Sequence, residues 1–113
     1  ARQWLVRAAR QNFDTAQIDL AAWLIDGVGG EKDYKAAYGW LRRAAIGGNI
    51  AAAARLAKLY RDGIGTDPSW QSAAAWYIKA KRAGLKDKDL DDFMDGLTEE
   101  ETQSAIVLAN TLK

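Results

Sequence analysis

Cysteine and histidine are both missing from this 113-residue chain, and proline and methionine occur once each. Without cysteine there is no disulfide framework and no thiolate metal site, and without histidine no imidazole base or ligand. No serine sits in a nucleophile-elbow context either, so no catalytic residue is assigned and enzyme activity is not expected. No apolar run approaches the roughly 18 residues that a membrane span needs. The lack of cysteine is compatible with cytoplasm and periplasm alike, so composition leaves the compartment open. The length suffices to bury about two thirds of the surface of the unfolded chain without metal or disulfide.

What the chain has is a period. Trp4, Trp40 and Trp76 stand 36 residues apart, followed by Leu-Val-Arg-Ala-Ala, Leu-Arg-Arg-Ala-Ala and Tyr-Ile-Lys-Ala-Lys. Aligning 13–48 with 49–84 gives ten identities in 36 positions, among them Leu20 with Leu56, Asp26-Gly27 with Asp62-Gly63, Ala44 with Ala80 and Gly48 with Gly84. Residues 1–12 repeat the last third of the unit, with Ala1, Trp4, Leu5, Arg7, Ala8 and Ala9 matching Ala37, Trp40, Leu41, Arg43, Ala44 and Ala45. The chain thus starts at a second helix and is expected to be the C-terminal part of a longer repeat protein. Units of this size cannot bury an apolar face alone and stack on their neighbours, which makes an extended surface and not a closed pocket.

Within each unit the apolar spacing is helical. Ala16, Leu20, Trp23, Leu24 and Gly27 form one stripe, and Ala37, Trp40, Leu41 and Ala44 another. Between them lies a glycine-bearing turn, Asp26-Gly-Val-Gly-Gly in one unit and Asp62-Gly-Ile-Gly-Thr in the next. Glycine ends the first helix there, and Asp33 or Ser69 caps the second. Each unit reads as a helix hairpin, with the periodic tryptophans expected to fill the gap between layers.

The second unit carries Ala52, Leu56, Ala57, Tyr60, Gly63, Gly65, Ala73, Trp76, Lys79, Ala80 and Gly84 at the spacing of the Sel1-like repeat, a relative of the tetratricopeptide repeat. The chain resembles that family over 1–84; Leu24, Ala36, Ser69 and Ser72 depart from the usual residues without threatening the fold. The resemblance implies an all-α solenoid of helix hairpins and a protein-binding scaffold. On Leu97-Thr98-Glu99-Glu100 as much as on the repeats, the chain also resembles periplasmic Sel1-like proteins of α-proteobacteria. Those proteins restrain a sensor kinase governing exopolysaccharide, so this second likeness implies an envelope regulator and tilts the compartment toward the periplasm. A segment that only builds a larger solenoid is the remaining alternative.

Residues 85–113 lose the register, since Gly96 takes the place of Tyr60. A short helix near 87–95 and a longer one from about 99 to 112 are expected, the second opened by a capping box at Thr98 and Glu101. This degenerate pair reads as the C-terminal cap of one domain made of 1–12, 13–48, 49–84 and 85–113. Charge is divided along the chain: 14 of the 16 Lys/Arg fall in 1–86, and 8 of the 15 Asp/Glu in 87–113. The division either makes two surfaces for partners of opposite charge or reflects the preference of cations for helix ends and anions for helix starts. Arg7, Arg43 and Lys79, at one repeat position in the last turns of their helices, fit the second account.

Sharper motifs fail on spacing. Asp87, Asp89 and Asp91 copy the first ligands of a calcium loop, but Asp92 and Thr98 stand where glycine and a bidentate glutamate belong. Residues 27–32 resemble a phosphate loop with the wrong spacing and no preceding strand. No metal and no cofactor are expected. Nucleic acid is disfavoured because the tryptophans are assigned to the core. In tetratricopeptide-like solenoids the first helices line the concave side, so the resemblance places the partner-binding face on Thr15, Ile18, Ala22 and Ile25 and on Ala51, Ala54, Lys58 and Arg61. The partner so described is a peptide or helix with apolar anchors and an acidic flank. Alternatively, Ile18 and Ile25 pack on neighbouring side chains and bind nothing.

Overall fold

The computed structural model describes residues 2–11 and 13–112; Ala1, matched above to Ala37, and position 12 at the end of the partial repeat lie outside them. Among the described residues there are seven helices and no strand: α1 (Arg2–Arg10), α2 (Asp14–Asp26), α3 (Tyr34–Ile46), α4 (Ile50–Asp62), α5 (Trp70–Arg82), α6 (Lys88–Asp95) and α7 (Glu99–Thr111). The molecule is an elongated α-solenoid of 45 × 23 × 21 Å. Helix α2 packs between α1 and α3, α4 between α3 and α5, and α7 on the far side of α5.

Local chemistry sets the helix ends. Helices α2 and α4 stop at Gly27 and Gly63, whose left-handed backbone returns the cap N–H to the carbonyls of Trp23 and Leu59. The following turns are pinned alike one period apart, Asp33 N–H donating to Leu24 and Ser69 N–H to Tyr60, both at 2.8 Å. Asp33 and Ser69 then cap α3 and α5 by accepting from Ala36 and Ser72. The Thr98–Glu101 capping box is fully formed: Thr98 Oγ1 accepts from Glu101 N–H at 3.1 Å, and Glu101 Oε1 from Thr98 N–H at 2.9 Å.

The stacked faces are built mostly from alanine. Ala21, Ala37, Ala52, Ala57, Ala73, Ala74 and Ala75 are completely buried, with Leu20, Leu56 and Tyr77 between them. Small side chains let the helix axes approach closely, and each helix then needs a covering layer on both sides. This explains where the reading of the tryptophans fails. Only Trp76 is an interlayer core residue, 4% exposed; Trp40 is half-buried and Trp4 is 71% exposed. Trp4 is open because α1 packs chiefly on α2, whereas Trp76 lies on α5 between α4 and α7; Trp40 stays half-buried although α3 also has a neighbour on each side.

Two tyrosines tie successive units. Tyr38 and Tyr60 meet edge to face at 5.5 Å between ring centroids, and their hydroxyls are 2.7 Å apart. Burial, then the hydrogen bond with Tyr38, pushes the Tyr60 phenol up to about 12. Gly65 lies against the same junction with φ +76, and a Cβ there would overlap the backbone carbonyl of Tyr34. No side chain fits, because the obstacle is main chain.

The tail departs from the repeat by shortening. Helix α6 has 8 residues where α2 to α5 have 13 each, and a brief turn at 96–98 brings α7 onto α5 well before the repeat would place its next second helix. Helix α6 is held by Leu90, completely buried in the core, and by a polar latch. Tyr77 Oη donates to Asp91 Oδ1 at 2.5 Å and accepts from Asp87 N–H at 3.1 Å. Lys58 pairs with Asp87 at 2.9 Å, Arg61 with Asp89 at 2.9 Å and Lys81 with Asp91 at 3.2 Å. The segregated charges of the sequence therefore meet within the molecule, so these acids and cations do not face separate partners.

Three outcomes follow from this packing. Trp76→Ala should lower stability by about 3–5 kcal/mol, and Trp4→Ala should stay within about 0.5 kcal/mol, measured by urea unfolding. Gly65→Ala should cost more than about 2 kcal/mol from left-handed strain plus backbone overlap. By contrast Gly39→Ala, in the interior of α3 with open space around it, should stabilise by about 0.5–1 kcal/mol. The third concerns acid. The hydrogen bond from Lys58 lowers the pKa of Asp87, and the hydrogen bond from Tyr77 lowers that of Asp91. A carboxylate with a depressed folded pKa stabilises above its unfolded value, about 3.9, and the contribution is lost as pH falls through the folded value. Protection factors, which correct for the intrinsic pH dependence of amide exchange, should be flat from pH 7 to about 5, with α6 the first helix to lose protection below about pH 4.

Candidate binding surface

A groove of about 370 Å³ opens between α2 and α4, lined by Ala22, Ile25 and Asp26 of α2, Leu41 of α3, and Arg55, Lys58 and Leu59 of α4. It exists because residues three and four apart share a helix face, so Ala22, Ile25 and Asp26 align on α2, and Arg55, Lys58 and Leu59 on α4. Stacking in 36-residue steps sets the two rows side by side. The floor is apolar and the rim carries two cations and one carboxylate.

Of the eight residues expected to form a binding face, the structure brings Ala22, Ile25 and Lys58 together in this groove. Thr15 and Ala51 are exposed but lie outside its lining. Ile18 and Ala54 are buried in the core, at 9% and 5% exposure, because the stacking face of each first helix is broader than one stripe. Arg61 turns away to a carboxylate pair, donating to both oxygens of Asp62 at 2.9 and 3.0 Å and reaching Asp89. That pairing raises the Arg61 pKa and lowers that of Asp62, with the hydrogen bond between them the leading cause in each.

The sequence reading missed Asp26, Leu41, Arg55 and Leu59. Arg55 lies three residues before Lys58, a helical neighbour available from spacing alone. Leu41 belongs to a second helix and reaches the groove only because the units stack closely. Tail carboxylates on Lys58 and Arg61 had no local signal, since they come from 29 and 28 residues downstream.

The opposite edge of the stack is also polar. Asp14 Oδ2 accepts from Asn49 Nδ2 at 2.7 Å, the main reason its pKa is lowered, and the buried Gln17 donates through Nε2 to the Ala9 carbonyl at 3.0 Å. Arg43 and Lys79 lie over the rings of Trp40 and Trp76, at 5.5 and 5.3 Å from the centroids. Trp4 is not enclosed, so the assignment of the tryptophans to the core does not hold for all three, and Lys58, Arg61 and Lys81 are paired with Asp87, Asp89 and Asp91. Among the described residues no three potential metal ligands gather, and no helix is long and apolar enough to cross a membrane.

Comparison with known proteins agrees with this architecture. A search of curated protein sequences finds no significant match. A protective antigen present in uropathogenic Escherichia coli strains, described as displaying an SLR fold, superimposes with a TM-score of 0.91 over 99% of this chain at 29% identity. The chain spans a quarter of that protein. A Sel1 repeat protein from Oxalobacter formigenes gives a TM-score of 0.74 at 32% identity, covering 82% of this chain and 69% of that one. The Sel1 repeat pattern itself matches residues 1–13, 14–49 and 50–85. With three matched units covering most of its length and the helix stacking they require, the chain belongs to the Sel1 repeat family, whose repeats typically serve as protein-interaction scaffolds.

Proposed function

We propose that the chain is a non-enzymatic scaffold that receives a partner peptide or helix in the groove between α2 and α4. The observation that carries this reading is the groove itself: an apolar floor of Ala22, Ile25, Leu41 and Leu59 bordered by Arg55 and Lys58. An amphipathic segment docks in such a groove with its apolar face inward and acidic residues at the cationic border, the helix-in-groove mode. Lys58 is already paired with Asp87, so an acidic flank meets Arg55 first. The alternative of a sensor-kinase regulator draws on Leu97-Thr98-Glu99-Glu100, but Thr98 is engaged with Glu101 in capping α7. Those residues have a structural occupation, and the scaffold reading needs no special role for them.

The test is affinity capture from a lysate of the source cells followed by kinetics with the captured protein. Ala22→Asp places a charge on the groove floor and should speed dissociation at least about tenfold, as loss of a buried anchor does. Arg55→Glu should slow association and reduce its salt dependence, leaving dissociation nearly unchanged, because rim charges steer encounter. Ile18 is unsuited to this test, since an acid at that buried position would unfold the stack. If Arg7→Glu and Arg43→Glu abolish binding while both groove variants bind normally, the outer cationic ladder is the functional face and the groove is not.

A further inference from the structure

The 36-residue register brings two cavities into correspondence. One, of about 390 Å³, is lined by Asp14, Gln17, Arg43, Ala44 and Gly47. The other, of about 210 Å³, is lined by Ile50, Ala53, Lys79, Ala80 and Ala83, the same five positions one unit later, and by Ala45, Gly48 and Asn49, whose amide is engaged with Ala52 N–H and Asp14. They are one place in successive repeats, between the start of a first helix and the end of the second helix packed on it.

Their chemistry has diverged on one side only. The cation is kept, Arg43 in the first and Lys79 in the second. Ile50 stands where the first cavity has the carboxylate of Asp14, and Ala53 where it has the amide of Gln17. The Lys79 ammonium is left with the face of Trp76 at 5.3 Å, and its Nζ is fully buried with no hydrogen-bond partner among the described residues. An indole face attracts a cation but does not accept three N–H bonds, and a buried charged donor without an acceptor is costly. The first turn of α4, whose N–H groups favour negative charge, supplies Ile50 and Ala53 to the same wall.

We propose that this second cavity binds a monocarboxylate carried on a short apolar stem. The carboxylate accepts from Lys79 Nζ on the side where Asp14 lines the first cavity, and the stem packs on Ala53, Ala80 and Ala83. Two sources offer that group: a free short-chain acid, and the chain terminus of a polypeptide ending in a small apolar residue. The cavity shares no lining residue with the α2–α4 groove, so failure at one site is separable from failure at the other.

Titration followed by NMR decides it, reading the Lys79 side-chain ammonium and the amides of Gly48, Ala53 and Ala83. The probes are sodium butyrate, the blocked dipeptide acetyl-Ala-Val with a free carboxyl, and its C-terminal amide. A saturable response to either carboxylate and none to the amide supports the site. Butyrate binding more tightly assigns it to free acids, and the dipeptide binding more tightly assigns it to chain termini. Lys79→Met, which keeps the stem over Trp76, should weaken binding at least about tenfold, the loss expected of one charge-assisted hydrogen bond. Ile50→Asp restores the carboxylate of the first repeat at an exposed first-turn position and should weaken binding as much by occupying the site from within. Should Lys79→Met fail to fold, Ile50→Asp carries the test alone. Equal binding by the amide, no saturation with either carboxylate, or unchanged affinity in the folded variants overturns the proposal.

Discussion

Helix α4 covers none of its own apolar surface. Ala52, Ala53, Ala54, Leu56, Ala57 and Leu59 are buried because α3 lies on one side and α5 on the other. That dependence on adjacent layers governs the molecule. A one-dimensional stack of this kind draws its stability from the interfaces between layers more than from any single unit, so a residue's burial follows its place in the stack as well as its type. The same repeat position is open at Trp4, half-covered at Trp40 and closed at Trp76. Gly65 is the sharpest expression of the constraint, since its backbone lies so close to Tyr34 that no side chain is admitted.

Most of this architecture was legible in the sequence because its causes are local and recur. The 36-residue period, the C-terminal glycines of the first helices, the Asp33 and Ser69 caps and the Thr98–Glu101 box are short-range signals, and the helices begin and end where they indicate. The burial of the tryptophans was not legible, because three equal sequence positions do not reveal what packs around each one. The fate of Ile18 was left between two readings: an i, i+4, i+7 count groups it with Ala22 and Ile25, and stacking decides for the alternative by sending it into the core. Spacing identifies residues that share a helix face. It does not say how wide a strip the neighbouring helix will cover.

The division of charge along the chain shows the same limit. Composition presents a basic body and an acidic tail, and in isolation that is an argument about external partners. Folding brings Asp87, Asp89 and Asp91 to Lys58, Arg61 and Lys81, so part of the contrast is settled within the molecule. These pairs are partly exposed, and such pairs contribute little individually. What anchors α6 is the combination of Leu90, completely buried, and the Tyr77 hydroxyl, which accepts from one end of the latch and donates to the other. The carboxylates orient a helix that Leu90 fastens.

A repeat protein also contains its own comparison. Where two units place the same residue in the same surroundings, as at Ala44 and Ala80, packing explains the identity. Where surroundings are retained and chemistry changes, packing alone does not. The Asn49 side chain spans the unit boundary, capping Ala52 while donating to Asp14, and so draws the carboxylate of the first cavity into the junction. One unit later Leu85 stands at the Asn49 position while the cap of α6 falls at Asp87, Ile50 replaces the acid, and the cation beneath is kept without an acceptor. Stacking requires only a small residue at Ala53 and is indifferent to a cation at Lys79. The retained charge sits in the last turn of α5, where the helix dipole favours a cation, and the cavity beside it is where the complementary charge fits.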